Sequence, residues 1–172
     1  MRTGGTGAPL SARAALCMLL LLLAACASYG PPKLAAGTSI ADARAALGAP
    51  TGEYPLAGGG RRFEFARGPY GKHTWMLDYD AQGRLLEWNQ VLSVAHFNEI
   101  LPGMSTDEVL ARIGRPSERG LLPFQHRDLW SYRYEGPFCL WFQLGIDSQG
   151  HVVDGGYGPD PACDDARPDS PL

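Results

Sequence analysis

The sequence lacks a concentration of positive charge. It contains 15 Lys and Arg residues against 18 Asp and Glu residues, and the cations are scattered along the chain instead of forming a stripe. Because contacts to phosphates require clustered cations, this pattern argues against a nucleic-acid partner.

Motifs that bind metals or phosphates are also lacking. The triplet Gly58-Gly59-Gly60 has neither the lysine nor the following helix of a phosphate-binding loop, so it is typical of a flexible turn. The histidines show no metal-ligand spacing, and exposed or edge-strand positions would explain them. They are His73, His96, His126 and His151.

The residue patterns of catalysis are equally sparse. Ser93 and Ser131 lack the context of a nucleophile elbow. Asp78 and Asp80 fall on one strand face, where paired carboxylates could do acid–base chemistry, but aspartates at strand ends and turns are far commoner. We therefore expect a protein that is not an enzyme, has no catalytic residues, and uses neither a cofactor nor a metal.

The apolar run near the start of the chain is too short for a permanent membrane-spanning helix. It extends over 14 residues, from Ala14 to Ala27, whereas a spanning helix needs roughly 20. Arg2 and Arg13 precede it, and no acidic residue does. A basic start followed by a short apolar run is typical of an export signal.

The end of this run, Leu23-Ala24-Ala25-Cys26, resembles the bacterial lipobox. The resemblance implies that residues 1–25 are removed as a signal peptide and that Cys26 becomes the lipid-bearing first residue of a linker over 26–33. Because Ala27 is not aspartate, it also implies the periplasmic face of the outer membrane. The alternative is an ordinary signal peptide with an incidental cysteine. Cleavage would remove two arginines and no acid, leaving a net charge of −5.

Only two cysteines remain once Cys17 leaves with the signal and Cys26 carries lipid. An even pair in an oxidising compartment favours a disulfide, here between Cys139 and Cys163. A hairpin turn at 147–150 should place Cys139 opposite about Gly158, within reach of the tail. The alternative is one buried thiol and one free thiol in the tail.

Comparison of the chain with itself indicates a tandem duplication. The spacing is 66 residues at first and 67 after one extra residue, and the matches keep their order. At 66 residues, Gly37-Thr38-Ser39 matches Gly103-Met104-Ser105, and Leu47-Gly48-Ala49-Pro50 matches Ile113-Gly114-Arg115-Pro116. At 67 residues, Phe63 and Phe65 match Trp130 and Tyr132, Trp75-x-Leu77-x-Tyr79 matches Phe142-x-Leu144-x-Ile146, and Asp80-x-x-Gly83 matches Asp147-x-x-Gly150.

Each copy predicts a helix followed by a three-stranded antiparallel meander, an α+β fold. Ser39 and Ser105 begin capping boxes, and Gly48 and Gly114 should end the helices in a left-handed conformation. The helices are expected at 40–47 and 106–113, with an extra helix at 93–101. Strands are expected at 61–66, 73–80 and 84–91, then at 128–134, 138–146 and 151–157. The repeats would cover 34–92 and 93–158, ahead of a Pro/Asp-rich tail over 159–172.

The second copy resembles the BamE/SmpA (OmlA) lipoprotein domain. The likeness is carried by Phe97, Gly103-Met104-Ser105, Ile113-Gly114-x-Pro116 and Asp147-x-x-Gly150. It covers 93–157 well and 34–92 more weakly. The resemblance implies a helical start packed on a three-stranded antiparallel sheet. This chain departs from the family by carrying two units, the first with a truncated start, and that arrangement is similar to the tandem units of β-lactamase inhibitor protein.

Strand parity suggests a surface for a partner. Met76 and Trp141 fall on the outward parity of the central strands, and Trp88 lies on an adjoining strand. Exposed Trp and Met residues on a sheet are typical of partner-binding surfaces. The alternative is that these faces pack against each other or under the helices.

The expected function follows from the resemblance. It implies a non-catalytic outer-membrane lipoprotein that acts by protein–protein contacts in envelope assembly or maintenance, with the barrel-assembly machinery as a candidate partner. The alternative, from the tandem arrangement, is an inhibitor or regulator of a periplasmic enzyme. A weak enzyme or small-ligand binder is a third hypothesis.

Anchoring should depend on the sulfur of Cys26. We expect Cys26→Ser to give an unlipidated precursor or a soluble species whose domain fold is unchanged, because serine cannot form the thioether to lipid. Mass spectrometry of membrane-extracted protein provides the measurement. An unmodified thiol at Cys26 in the wild-type protein would refute the lipobox assignment.

Overall fold

The structure is a computed structural model that describes residues 32–68 and 71–163. The predicted signal peptide, Cys26 and residues 164–172 of the tail lie outside the described residues. The described residues belong to a single compact unit. Within these ranges, no helix is long and apolar enough to cross a membrane.

The chain forms two α+β repeats, each built on a four-stranded antiparallel sheet. Each sheet is a meander, because its strands pair in sequence order. The first repeat contains α1 (Ile40–Leu47), β1 (Gly52–Pro55), β2 (Arg61–Arg67), β3 (His73–Tyr79) and β4 (Leu85–Gln90). The second contains α2 (Val94–Phe97), α3 (Thr106–Ile113), β5 (Glu118–Leu122), β6 (Arg127–Arg133), β7 (Leu140–Ile146) and β8 (Val152–Pro159).

The prediction of three strands per repeat is wrong, because β1 and β5 add a fourth. β1 reads Gly-Glu-Tyr-Pro and β5 reads Glu-Arg-Gly-Leu-Leu. Neither shows the alternation of a half-buried strand, and Pro55 is a residue that only an edge strand tolerates. Each forms a hairpin with the next strand, and short 3₁₀ turns at Ala57–Gly59 and Pro123–Gln125 make the connections.

Both main helices begin where the sequence predicts, but only the helix after Ser105 has the predicted capping box. The Ser39 hydroxyl accepts a hydrogen bond from the backbone N–H of Asp42 at 3.2 Å. The Ser105 hydroxyl accepts from the N–H of Glu108 at 3.3 Å, and the Glu108 carboxylate accepts from the N–H of Ser105 at 2.8 Å. The helix α3 therefore has a complete capping box, in which two otherwise unpaired N–H groups gain partners.

Both main helices also end at the predicted glycines. Gly48 has φ +83° and ψ −165°, and Gly114 has φ +76° and ψ −165°. The positive φ is as predicted, but ψ is extended instead of left-handed helical. This region of backbone conformation is essentially restricted to glycine.

The turns between the last two strands are alike in the two repeats. The Asp80 carboxylate accepts hydrogen bonds from the N–H groups of Gln82 and Arg84, each at 2.9 Å. The Asp147 carboxylate does the same for Gln149 and His151, again at 2.9 Å. Because the same local bonds recur, the structure supports the duplication.

Smaller irregularities recur as well. A β-bulge lies between Asp78 and Tyr79 in the first sheet and between Gly145 and Ile146 in the second. Comparing the two copies places the extra residue of the second repeat at the β5–β6 hairpin, where His126 has a positive φ of 52°.

Each repeat has its own apolar core between helix and sheet. The first cluster consists of Ala43, Phe63, Phe65, Trp75, Leu77, Tyr79 and Leu85. The second consists of Leu92, Phe97, Ile100, Val109, Ile113, Trp130, Tyr132, Tyr134, Phe142, Leu144, Ile146 and Val152. Because α2 adds Phe97, which stacks on Phe142 at 4.5 Å between ring centroids, the second core has a component with no counterpart among residues 32–68 and 71–92 of the first repeat.

Two matched glycine substitutions test the helix ends. Gly48→Val should cost about 1–3 kcal/mol of unfolding free energy, because a branched residue is strained at this φ and ψ. Gly114→Val should cost more, since a Cβ there would also lie 3.0 Å from Glu64 and Thr74 side-chain atoms. Urea unfolding of both variants measures the difference. Equal losses would contradict the close contact at Gly114.

Candidate partner-binding surface

The residues predicted to form a partner surface are largely covered. Met76 is 2 % exposed and Trp141 is 9 % exposed, so the prediction that they lie on open sheet faces is wrong. Trp88 is half-buried against the first core and meets Trp75 edge-on, with ring centroids 5.2 Å apart. Both faces are therefore covered, that of Met76 by the second repeat and that of Trp141 by the segment after β8.

Met76 is buried because the second repeat packs on the outer face of the first sheet. Arg62 on β2 forms a two-pronged ion pair with Asp78 on β3, at 2.6 and 2.7 Å. Its Nη1 also donates to the carbonyl of Ala111 at 2.9 Å, near the end of α3. Because carbonyl groups at a helix C-terminus carry partial negative charge, the guanidinium stabilises this contact.

Glu64 completes the joint between the repeats. Its buried carboxylate accepts hydrogen bonds from the hydroxyls of Thr51 at 2.9 Å and Tyr54 at 2.5 Å. It also accepts from the backbone N–H of Arg115 at 3.3 Å, just after α3. Gly114 makes this approach possible, since any side chain there would meet the Glu64 carboxylate. The Asp78 and Glu64 carboxylates thus both contribute to the joint between the repeats.

Burial changes the acidity of the tyrosines near the joint. Desolvation, followed by the hydrogen bond to Glu64, raises the pKa of the Tyr54 hydroxyl. Desolvation also raises the pKa of Tyr132, whose hydroxyl donates to the carbonyl of Gly114 at 3.1 Å. Both hydroxyls therefore stay protonated at neutral pH and act as hydrogen-bond donors.

The equivalent face of the second sheet is closed by the segment after β8. Arg133 donates through Nε to both carboxylate oxygens of Asp160, at 3.1 and 2.8 Å, and pairs through Nη2 with Glu118 at 2.7 Å. Its guanidinium lies 5.2 Å from the ring centroid of Trp141. Burial by itself lowers the pKa of Arg133, but the bonds to Asp160 and Glu118 raise it above its usual value.

A disulfide fixes the same segment, as the sequence predicts. Cys139 and Cys163 are bonded, with Cα atoms 6.3 Å apart. The predicted register is wrong in one detail, because Cys139 is level with Asp160 and accepts a hydrogen bond from its N–H at 3.2 Å. Part of this difference comes from the bulge near Gly145, which gives β8 one more residue than its partner strand.

Two strongly exposed apolar side chains of the second repeat lie on the β5–β6 hairpin. Phe124 is fully exposed at its tip, and Leu121 is 64 % exposed at the end of β5. We call these two residues the apolar hairpin. In the first repeat, Gly58 and Pro55 occupy the equivalent positions. Comparing the two hairpins in the sequence, glycine against phenylalanine, was the signal that could have revealed this surface.

A shallow cavity beside each hairpin is duplicated too. It measures about 290 Å³ in the first repeat and about 380 Å³ in the second, and every lining residue of the first except Arg44 has a counterpart in the second. Their charges are inverted, since Glu53 and Arg61 correspond to Arg119 and Asp128. Glu53 pairs with Arg61, whereas Arg119 stacks on Trp130 at 4.4 Å from its ring centroid. Mixed charge around an apolar tip is typical of the rim of a protein interface.

The remaining candidates from the sequence are dispersed. His73 lies 3.4 Å from Glu135, His96 bonds Ser93 at 2.8 Å, and His151 lies 3.9 Å from Asp147. Across residues 32–68 and 71–163, no group of three or more His, Cys, Asp or Glu residues could hold a metal ion. Backbone hydrogen bonds, first that of Arg84, lower the pKa of Asp80, in keeping with a role in its turn.

Comparison with known proteins assigns no family to this chain. No protein-family model and no curated protein matches the chain. Among solved structures, the chain is similar to a cysteine-rich secretory protein from Staphylococcus aureus subsp. aureus Mu50, at 12 % identity and a TM-score of 0.29. The alignment covers 79 % of this chain, which spans 50 % of the length of that protein.

The disulfide should stabilise the fold substantially. It closes a 24-residue separation. The double variant Cys139→Ser/Cys163→Ser should therefore lose about 3 kcal/mol of unfolding free energy in the chain-entropy estimate. The native fold should persist, because Arg133 still holds Asp160. Urea unfolding monitored by tryptophan fluorescence provides the measurement. Unchanged stability, or free thiols at both positions in oxidised wild-type protein, would count against the bridge.

Proposed function

We propose that this chain is a non-catalytic lipoprotein of the outer membrane that acts through protein–protein contacts in envelope assembly or maintenance. Its periplasmic side would contact envelope proteins, with the β-barrel assembly machinery as the candidate partner. The lipobox-like ending at Cys26 and the BamE-like motifs of the second repeat support this assignment. The exposure of the apolar hairpin is the observation that supports a protein–protein contact.

The apolar hairpin fits a partner better than it fits solvent. In the first repeat, the same turn is built with Gly58 and needs no large side chain. In the second repeat, Phe124 exposes its whole ring, and Leu121 lies on the same hairpin. Phenylalanine is among the aromatic residues that are enriched in protein interfaces. The surrounding Arg119 and Asp128 would form the polar rim.

A second candidate is an inhibitor or regulator of a periplasmic enzyme. The same hairpin favours it, because a phenylalanine that projects from the tip of a two-stranded hairpin can enter the cleft of a target. The tandem arrangement, similar to that of β-lactamase inhibitor protein, belongs to this hypothesis. The two candidates share the surface and differ in the protein that it binds.

Site-specific crosslinking separates these candidates. A photoreactive phenylalanine analogue replaces Phe124 in the full chain, and the same analogue replaces Phe138, which is 72 % exposed, as the control. Crosslinks from position 124 to barrel-assembly components support the first function. Crosslinks to one soluble hydrolase support the second. Equal patterns from both positions would contradict a role for the apolar hairpin.

A double substitution measures how much the apolar hairpin contributes to binding of the partner. Leu121→Ser/Phe124→Ser should reduce capture of the crosslinked partner at least about tenfold, since burying one large apolar side chain contributes roughly 1.5–3 kcal/mol. Phe138→Ser should leave capture unchanged. Stability should be unaffected in all variants, because these side chains contribute little to the core.

A further inference from the structure

The strand β8 has an open edge of defined length. Its start is covered, because Gly103 donates to the carbonyl of Val152 at 2.7 Å and Val152 donates to the carbonyl of Met104 at 2.8 Å. At its end, the N–H of Asp160 bonds to Cys139, which directs the chain back toward β7. Between these points, in the part of the chain that the structure describes, the outer side of residues 153–159 has no neighbouring strand.

The hydrogen-bonding groups on this edge point outward in a regular pattern. Adjacent residues of an antiparallel strand alternate between facing one neighbour and the other. Because the N–H of Asp160 faces β7, the peptide groups of Tyr157 and Gly155 face away from it. Both residues are exposed. Gly155 and Tyr157, two positions apart, each present one N–H and one C=O group on this edge.

Gly156, between them, is not required by the fold of one chain. Its φ is not in the positive range, and a Cβ built there would meet no atom of the described residues within 4 Å. Gly155 differs, since a Cβ there would lie 2.9 Å from Leu144. Glycine inside a strand is found at bulges, at bends and where a ligand or another backbone approaches closely, and the β7–β8 pairing is regular at Gly156.

We propose that the β8 strands of two copies of this chain pair antiparallel about a twofold axis at Gly156, which joins their second sheets into one eight-stranded sheet. In this register, Gly155 of one copy faces Tyr157 of the other on both sides of the axis. These two pairs form four main-chain hydrogen bonds. The two Gly156 residues face each other in a non-hydrogen-bonded pair, where Cα atoms lie about 4.5 Å apart.

The side chains favour a second copy as the occupant. Tyr157 is partly exposed, and in this register its ring covers the backbone of Gly155 in the other chain. Such pairing of an aromatic residue with a glycine across strands is stabilising. Asp154 would face Gly158 instead of another acid, and its charge is already paired with Arg127 at 2.8 Å. The free stretch 153–159 is also centred on residue 156, as a twofold axis requires.

Cysteine crosslinking tests the axis directly. In the full chain, Gly156→Cys places two thiols across the axis at a Cα separation that suits a disulfide. We expect the oxidised variant to run mainly as a covalent dimer on a non-reducing gel. The matched control is Gly120→Cys on β5, the other edge of the same sheet. A Cβ at Gly120 meets only Leu129, at 3.9 Å.

A charge variant tests the same contact without a covalent bond. Gly156→Lys should leave the fold of one chain intact, because its side chain enters open space, but it places two like charges at the axis. Sedimentation in mild detergent should show twice the polypeptide mass for the wild-type chain and one chain for the variant. The proposal is overturned if folded Gly156→Cys stays monomeric, if Gly120→Cys crosslinks equally, if position 156 links to a different protein, or if wild-type protein sediments as one chain.

Discussion

Glu64 carries a buried carboxylate that accepts hydrogen bonds from both repeats. A charge without water is costly unless it is fully bonded, and here Thr51 and Tyr54 supply two donors from its own repeat. The backbone N–H of Arg115 supplies the third from the other repeat. Beside it, Arg62 joins Asp78 to the end of α3. Since these bonds are directional, the joint fixes how the helix of the second repeat meets the first sheet, and a loss of one donor would leave a buried charge under-bonded.

The duplicated sheets have diverged most on the faces turned away from their own helices. Positions that hold Glu64, Thr74 and Asp78 in the first repeat hold Ser131, Trp141 and Gly145 in the second. The first face receives the end of α3. In the second repeat the same face is closed by Asp160, which Arg133 binds. The two cores, in contrast, keep the same alternation of apolar residues, because each must still cover a helix.

Sequence patterns predict the local elements well. The spacing of Ser39 and Gly48, like that of Ser105 and Gly114, marks both ends of a helix, because the caps are chemical signals contained within a few residues. The alternation at Trp75, Leu77 and Tyr79 likewise marks a central strand. β1 and β5 escape prediction because a short edge strand buries too little to require alternation.

The candidate surface was predicted less well, and the reason is physical. Parity shows that Met76 and Leu77 point to opposite faces of a sheet, but it does not show what covers either face. The face that carries Met76 meets the end of α3, where Ala111 accepts a hydrogen bond from Arg62, 49 positions away. Phe124 is the reverse case, since a single aromatic residue in a turn has no periodic pattern, and only comparison with Gly58 distinguishes it.

The joint also has a consequence for the order of folding. Each sheet is a meander of hairpins whose partners are close in sequence, whereas the bond from Arg115 to Glu64 spans 51 residues. The entropy of closing a loop must be lost before a distant contact is gained, so local hairpins form sooner. Docking of two already formed repeats is therefore expected to limit the rate of folding. Substitutions at Glu64 should then act mainly on that last step, while those in either apolar core act on the earlier ones.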